Sequence, residues 1–179
     1  MPEGFRGYIQ LYTGAGKGKT TAALGLALRA AGRGLRSYVG QFLKGRLTGE
    51  AVAAAKLAPL LTIESFGRKG FVTVTEGGAP DEEDVSRAGR GLARCREAML
   101  SGSYDIVVLD EVCVAIDLGL LPEADVLAFL ADKPPAVEIV LTGRGATPAL
   151  ADRADLVTEM VERKHYSAAG VRARDGIEK

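Results

Sequence analysis

A cluster of glycine, lysine and threonine residues near the start of the chain has the spacing needed to bind phosphate. The stretch is Thr13-Gly-Ala-Gly-Lys-Gly-Lys-Thr-Thr21. Its glycines lack a Cβ atom, so successive backbone N–H groups are able to turn inward around anionic oxygens. Lys19 supplies an ammonium for the outer phosphates, and Thr20 supplies a hydroxyl for Mg²⁺. These residue types in this order predict a phosphate-binding loop.

The loop departs from the strict pattern G-x-x-x-x-G-K-[ST], because the position of its first glycine is Thr13 and Gly14 comes one residue later. An apolar strand at 7–13 enters the loop, and an Ala/Leu-rich helix at 20–31 leaves it. That context favours a nucleotide site over a glycine-rich turn without a ligand. The predicted ATP-binding residues here are Thr13, Gly14, Ala15, Gly16, Lys17, Gly18, Lys19, Thr20 and Thr21.

A second candidate for chemistry is the apolar run Ile106-Val-Val-Leu-Asp-Glu111, which ends in two carboxylates. An acidic residue at the end of such a strand lies beside the phosphate loop in nucleotide hydrolases and helps to hold Mg²⁺. Mg²⁺ prefers hard oxygen ligands, so Thr20, Asp110 and Glu111 are the predicted metal ligands. Two roles remain open for Glu111: activation of an attacking water, or binding of the metal or ribose.

Two more apolar strands end in cations. Arg144 lies between two glycines in Leu141-Thr-Gly-Arg-Gly145, and Lys44 lies in Gln41-Phe-Leu-Lys-Gly45. Ligands of open α/β sheets bind at the carboxyl ends of strands, so both side chains are candidates for contact with phosphate. Lys44 fits an exposed position equally well. The single histidine, His165, has no acidic partner that the sequence identifies, and a structural role is favoured for it.

Strand and helix patterns alternate along the chain, which predicts a three-layer α/β fold with a mainly parallel sheet of about six strands. Several strands are continuous apolar runs, as expected for strands covered on both faces. The predicted strands are 8–13, 36–42, 61–66, 105–110, 138–142 and 156–160. The predicted helices are 20–31, 81–101, 122–132 and 147–153. No repeat or boundary divides the sequence, so residues 1–179 are predicted to form a single domain.

The composition limits the class of protein. The 179 residues are 47% hydrophobic and 26% charged, with 23 basic and 23 acidic side chains, which disfavours a dedicated nucleic-acid-binding protein. The sequence contains no apolar run long enough to span a bilayer and no signal peptide, so a cytoplasmic protein without a membrane segment is expected. Cys95 and Cys113 are predicted to be buried thiols.

Together these motifs resemble the phosphate-loop family of ATP:corrinoid adenosyltransferases. The similarity runs from about Tyr8 to Ile177, and the glycine at 14 is itself this family's form. The matching segments are 13–23, 41–45, Gly70-Phe71, 107–111, 141–145, Lys164-His165, 169–171 and Gly176-Ile177. The resemblance implies an α/β/α domain of the phosphate-loop NTPase, RecA-like type.

The resemblance also implies a reaction. Co(I) of a reduced corrinoid attacks C5′ of ATP, and the whole triphosphate leaves. ATP lies in the loop in the reverse of its usual orientation. Loop N–H groups, Lys19 and Mg²⁺, or Mn²⁺ in its place, stabilise the leaving charge. Lys19, Glu111 and Arg144 are the implied catalytic residues, and Lys44 and Arg144 are implied to bind ATP. The cobalt nucleophile carries no proton, so Glu111 is implied to be a ligand rather than a base.

Phe71, in a long segment at 67–80, matches an aromatic residue that displaces the lower axial ligand of the corrinoid. Members of the family carry a Trp two residues later, where this chain has Thr73 and contains no Trp. The corrinoid substrate is therefore left as cobalamin, cobinamide or a precursor. The resemblance further implies a homodimer and a flavoprotein reductant. The alternatives from other classes are an ATPase or nucleoside kinase, and a nucleotide-binding regulator without turnover.

Overall fold

The computed structural model describes residues 5–68 and 80–178. In order, the elements are β1 Ile9–Thr13, α1 Lys19–Ala31, β2 Ser37–Gln41, α2 Gly49–Lys56, β3 Leu61–Ser65, α3 Glu82–Leu100, β4 Ile106–Asp110, α4 Val112–Asp117, α5 Glu123–Ala131, β5 Glu138–Thr142, α6 Pro148–Arg153 and β6 Leu156–Glu159. A short 3₁₀ turn at Tyr166–Ala169 follows.

The six strands form one sheet in the order β3-β2-β4-β5-β1-β6, and every adjacent pair is parallel. The prediction of a mainly parallel, six-stranded sheet is therefore confirmed, and the strands lie where the apolar runs predicted them. The four predicted helices are also present. Because parallel strands share one direction, their carboxyl ends meet at a single edge, and all the candidate site residues of β1, β2, β4 and β5 reach that edge.

Helices cover both faces of the sheet, as a three-layer α/β/α fold requires. Successive residues of β4 point to opposite faces: Val107 and Leu109 join the larger core, and Ile106 and Val108 join the smaller. The larger core packs α3, α4, α5 and α6 on the sheet, and the smaller core packs α1 and α2. Both central strands, β4 and β5, are buried at every position, which explains their continuous apolar sequences.

Two helices were not predicted. The short helix α2 begins after Thr48, whose side chain accepts a hydrogen bond from the N–H of Ala51. The six-residue helix α4 follows β4 so closely that its apolar residues continue the strand's hydrophobic run. Within residues 5–68 and 80–178, no helix is both long and apolar enough to cross a membrane.

Candidate functional site

The phosphate loop connects β1 to α1 at the carboxyl edge of the sheet. Gly18 is the N-cap of α1, and no side chain caps the helix, so its first N–H groups remain available to an anion. Lys19 is only 6% exposed, and its Nζ donates to the carbonyl oxygens of Gly14 (2.7 Å) and Gly16 (2.8 Å). Burial lowers the pKa of Lys19 below its ordinary value. These two hydrogen bonds hold the ammonium of Lys19 within the phosphate loop, where it would contact a bound phosphate.

The loop glycines are needed for close packing as well as for anion binding. A Cβ atom at Gly14 would lie 2.5 Å from the carbonyl oxygen of Met160, and one at Gly16 would lie 2.7 Å from it. The N–H of Gly16 donates to that same oxygen (2.7 Å). The loop thus rests directly on the backbone that follows β6, and side chains at these positions would push it away.

Asp110 is the centre of the polar network beside the loop. Its Oδ1 accepts hydrogen bonds from the hydroxyls of Thr20 (2.7 Å) and Thr142 (2.8 Å). Its Oδ2 accepts from Nε2 of Gln41 (3.2 Å) and lies 3.6 Å from Nζ of Lys44. Asp110 is 1% exposed, so these contacts replace the water that a buried carboxylate has lost. The network joins the ends of β2, β4 and β5 to the start of α1.

Glu111 is held in an unusual backbone conformation. Its φ of 63° and ψ of 24° place it in the left-handed region, where it is the N-cap of α4. Its N–H donates to Oγ1 of Thr142 (2.8 Å). Within the described ranges its carboxylate accepts no hydrogen bond, and it lines the main cleft. Burial, with the neighbouring charge of Asp110, raises the pKa of Glu111.

Glu50 is a site residue that the sequence patterns did not indicate. Helix α2 brings its carboxylate to 2.6 Å from Nζ of Lys44 and 3.1 Å from Nε2 of Gln41. Burial opposes ionisation, but the hydrogen bonds from Lys44 and Gln41 prevail and hold the pKa of Glu50 at about 2. Lys44 is therefore not simply exposed, because it lies between Glu50 and Asp110. No local pattern in the sequence marks Glu50, because its contact with Lys44 depends on where α2 lies.

Arg144 lies on the turn after β5 and is exposed toward the same cleft. The turn depends on Gly143, whose φ is 143° and whose added Cβ would lie 2.7 Å from Cβ of Cys113. The tight contact of this turn with α4 directs Arg144 away from the core.

Cys95 and Cys113 are both buried free thiols, as predicted.

These groups surround a cleft of about 940 Å³. The phosphate loop at 15–21 forms one side, and residues 43–50, Glu111 and Arg144 form others. Thr13, Gly14 and Asp110 are not part of this lining. The volume is in the upper range for small-molecule sites. Within the described residues, no group of three His, Cys, Asp or Glu side chains forms a metal site by itself. A hard cation would therefore need phosphate oxygens and water as further ligands.

The C-terminal residues 161–178 complete the cleft. Glu162, His165 and residues 176–178 belong to its lining. Lys17, predicted to bind ATP, here directs its Nζ toward Tyr166 Oη (3.1 Å) and Glu178 Oε1 (3.0 Å). His165 accepts the N–H of Ser167 at Nδ1 (3.0 Å) and so caps the 3₁₀ turn, in agreement with a structural role. Phe71 and Thr73 lie outside the described residues.

Comparison with known proteins identifies relatives across nearly the whole chain. The model of the family described as ATP:corrinoid adenosyltransferase BtuR/CobO/CobP matches residues 5–178. A corrinoid adenosyltransferase of Pseudomonas aeruginosa is 34% identical over 97% of this chain and 84% of its own length. One from Salmonella typhimurium is 35% identical over 97% and 86%.

A solved structure shares the fold at low identity. The flagellar accessory protein FlaH of Methanocaldococcus jannaschii superposes with a TM-score of 0.55 at 12% identity. The match covers 86% of this chain and 71% of that one. This likeness supports the α/β/α phosphate-loop fold and carries no information on the reaction.

Proposed function

We propose that this chain, which belongs to the ATP:corrinoid adenosyltransferase family, transfers the 5′-deoxyadenosyl group of ATP to Co(I) of a reduced corrinoid. The electron pair of Co(I) forms the bond to C5′. The bond between C5′ and its oxygen breaks, and triphosphate leaves with that oxygen and the bonding pair. Cobalt is formally oxidised to Co(III), and no proton is transferred.

The observation that carries this proposal is the position of the phosphate loop on the wall of a cleft large enough for more than a phosphate group. The uncapped N–H groups at the start of α1 and the ammonium of Lys19 lie together in the phosphate loop, where they would bind the same anionic ligand. Negative charge grows on the triphosphate as the C–O bond breaks, so fixed positive groups there stabilise the transition state more than the bound substrate. Lys44 and Arg144 line the same cleft and add positive charge to it.

The residues beside the loop fit Mg²⁺, or Mn²⁺, as the accompanying cation. The Thr20 hydroxyl donates its proton to Asp110, so its lone pairs face away from that carboxylate. Both oxygens of Asp110 are already engaged, whereas the carboxylate of Glu111 has no hydrogen-bond donor among the described residues. We infer that Thr20 and Glu111 hold the ion and that Asp110 orients Thr20. When bound, the cation neutralises charge on the phosphate oxygens.

A general-base role for Glu111 has no place in this chemistry, because Co(I) attacks without losing a proton. Burial raises the pKa of Glu111, and a cation bound beside it would favour its charged form. Its left-handed backbone, fixed by the hydrogen bond to Thr142, sets where its carboxylate lies. Glu111 is therefore proposed as a ligand.

Identification of both products tests the proposal. The protein is incubated with ATP, Mg²⁺ and chemically reduced cobalamin, and the nucleotide and corrinoid products are separated by chromatography. Triphosphate together with an adenosylated corrinoid is expected in equal amounts. ADP would instead identify an ATPase or kinase, and binding of ATP with no product under strong reductant would identify a regulator.

Phe71 is proposed to contact the corrinoid, on the strength of its match to the family. Phe71→Ala is expected to slow the reaction that starts from Co(II) more than the reaction supplied with Co(I). Without Phe71 the lower axial ligand of the corrinoid would not be displaced, and the reduction of Co(II) to Co(I) would become harder. Equal slowing of both reactions would contradict this role. The comparison of cobalamin with cobinamide in the same assay identifies the preferred substrate.

The remaining proposals concern partners and location. A flavoprotein is proposed to deliver the electron that converts Co(II) to Co(I), and a cytoplasmic location matches the requirement for ATP.

A homodimer is proposed through the outer edge of the sheet, where all four residues of β6 are exposed, including Leu156 and Val157. Light scattering of the purified protein gives its mass, and a monomer at micromolar concentration would contradict the dimer.

A further inference from the structure

The carboxylate of Glu178 connects the end of the chain to the phosphate loop. Its Oε1 lies 3.0 Å from Nζ of Lys17 and 3.1 Å from Nη2 of Arg174. The hydroxyl of Tyr166 donates to the same oxygen, and the N–H of Arg174 donates to Oε2 (2.9 Å). The side chain of Glu178 is only 14% exposed. The carboxylate of Glu178 therefore contacts Tyr166 and Arg174 of its own segment and Lys17 of the phosphate loop.

Apolar burial does not explain where this segment lies. Residues 161–178 are exposed except at His165 and Glu178, and none of them belongs to either hydrophobic core. Exposed apolar side chains include Val161 and Ile177. Hydrogen bonds from Lys17 tie the segment back to the loop: its Nζ reaches Glu178, Tyr166 and the carbonyl oxygen of Ile177 (3.3 Å).

The position of the segment has a consequence for the cleft. Residues 176–178, Glu162 and His165 line the same cleft as Lys19, Glu111 and Arg144. Lys17 is two residues from Lys19 in the same loop, so docking the segment on Lys17 also restrains the loop that carries Lys19. Without the contact between Glu178 and Lys17, residues 161–178 would no longer be held beside the cleft, and the phosphate loop would lose one of its restraints.

We propose that Glu178 is a positioning residue of the ATP site: it holds Lys17 and thereby docks residues 161–178 as one wall of the cleft. Glu178 acts through Lys17 and the segment, and it does not touch the reacting atoms. The inference rests on the proposed function in taking the cleft as the site of ATP. Because the docking contact exists without ATP, it is measurable independently of turnover.

The first test measures docking alone. Amide hydrogen exchange of residues 161–178 is compared between wild type, Glu178→Gln, Lys17→Met and the double variant, all without nucleotide. Each single change is expected to raise exchange in the segment about five-fold, in line with loss of a partly exposed ion pair. The double variant should add little, because both changes remove the same contact. Unchanged exchange in either single variant would overturn the proposal.

The second test measures the effect on the site. In Glu178→Gln, KM for ATP is expected to rise about five-fold while kcat stays within about two-fold, since the reacting groups remain. Glu178→Asp keeps the charge and should recover part of the loss. The control is Glu97→Gln, which changes an exposed carboxylate on α3 that pairs with Arg94. An unchanged or lowered KM in Glu178→Gln would overturn the proposal, and a lowered value would mean that Glu178 competes with phosphate for Lys17.

The two tests separate this inference from the proposed reaction. If the protein transfers no adenosyl group, the exchange experiment still decides whether Glu178 docks the segment, and the KM for ATP is replaced by the Kd of ATP. If transfer occurs but Glu178→Gln behaves as wild type in both tests, the reaction stands and the positioning role fails.

Discussion

Thr142→Val is the most informative single substitution in the site. Thr142 is fully buried, and its Oγ1 donates to Oδ1 of Asp110 (2.8 Å) while accepting the N–H of Glu111 (2.8 Å). Valine has nearly the same shape and lacks the hydroxyl. The change therefore removes both hydrogen bonds without opening a large cavity, and it acts on the two carboxylates beside the proposed metal site.

The magnitude follows from the partners that remain. The N–H of Glu111 would lose its partner in a partly buried position, which costs about 1–3 kcal/mol. Asp110 would lose one of its charge-assisted bonds, although Thr20 still donates to the same oxygen. The added methyl of valine returns about 1 kcal/mol of apolar burial. The free energy of unfolding is expected to fall by about 2–3 kcal/mol.

The matched control is Thr142→Ser, which keeps the hydroxyl and loses only a methyl, worth about 1 kcal/mol. Both variants are unfolded in urea and followed by far-ultraviolet circular dichroism, since the chain contains no Trp. Transfer activity is expected to fall about ten-fold or more in Thr142→Val, as for other groups that orient metal ligands, and to change little in Thr142→Ser. If valine is no more harmful than serine in either assay, the network around Asp110 does not have the importance assigned to it.

Three other substitutions test separate parts of the site. Lys19→Ala is expected to lower transfer by at least about 100-fold, because the leaving triphosphate loses its nearest buried cation; turnover close to wild type would refute that role. Glu111→Gln should abolish most transfer yet raise stability at neutral pH. Burial raises the pKa of Glu111, so wild type loses stability as pH rises through that pKa, and the advantage of the variant should shrink in acid; a pH-independent difference would contradict this reasoning. Gly143→Ala places a Cβ 2.7 Å from that of Cys113 at a φ of 143° and should cost about 2 kcal/mol in urea unfolding. Its control, Gly25→Ala in α1, meets no atom within 4 Å and should gain about 0.5–1 kcal/mol.

The sheet was predictable because β2, β4 and β5 are buried on both faces. A strand such as Ile106–Asp110 has no polar side until its last residue, and the polar residue then marks the carboxyl edge. The same rule, applied to the sequence alone, predicts that Asp110, Lys44 and Arg144 share one edge. The apolar strands therefore predicted the fold, and the polar residues at their ends predicted the edge of the sheet where the candidate site lies.

Contacts between distant segments were not predictable in the same way. Nothing local in the sequence tells that Glu50 will reach Lys44, because that contact depends on where α2 turns after the end of β2. The role of Thr142 was hidden for a similar reason. A threonine at the end of a β-strand fits strand propensity alone, and its bonds to Asp110 and Glu111 exist only because β4 and β5 are neighbours.

The displaced glycine of the phosphate loop has a structural explanation in the register of β1. Thr13 still belongs to the strand, pairs with Glu159 of β6, and accepts the N–H of Met160 (2.8 Å). The chain turns to positive φ only at Gly14, where φ is 94° and a Cβ would collide with Met160. A glycine at position 13 would weaken the edge pairing without serving the turn. The loop therefore begins at Gly14 in this structure, because Thr13 still pairs with Glu159 of β6.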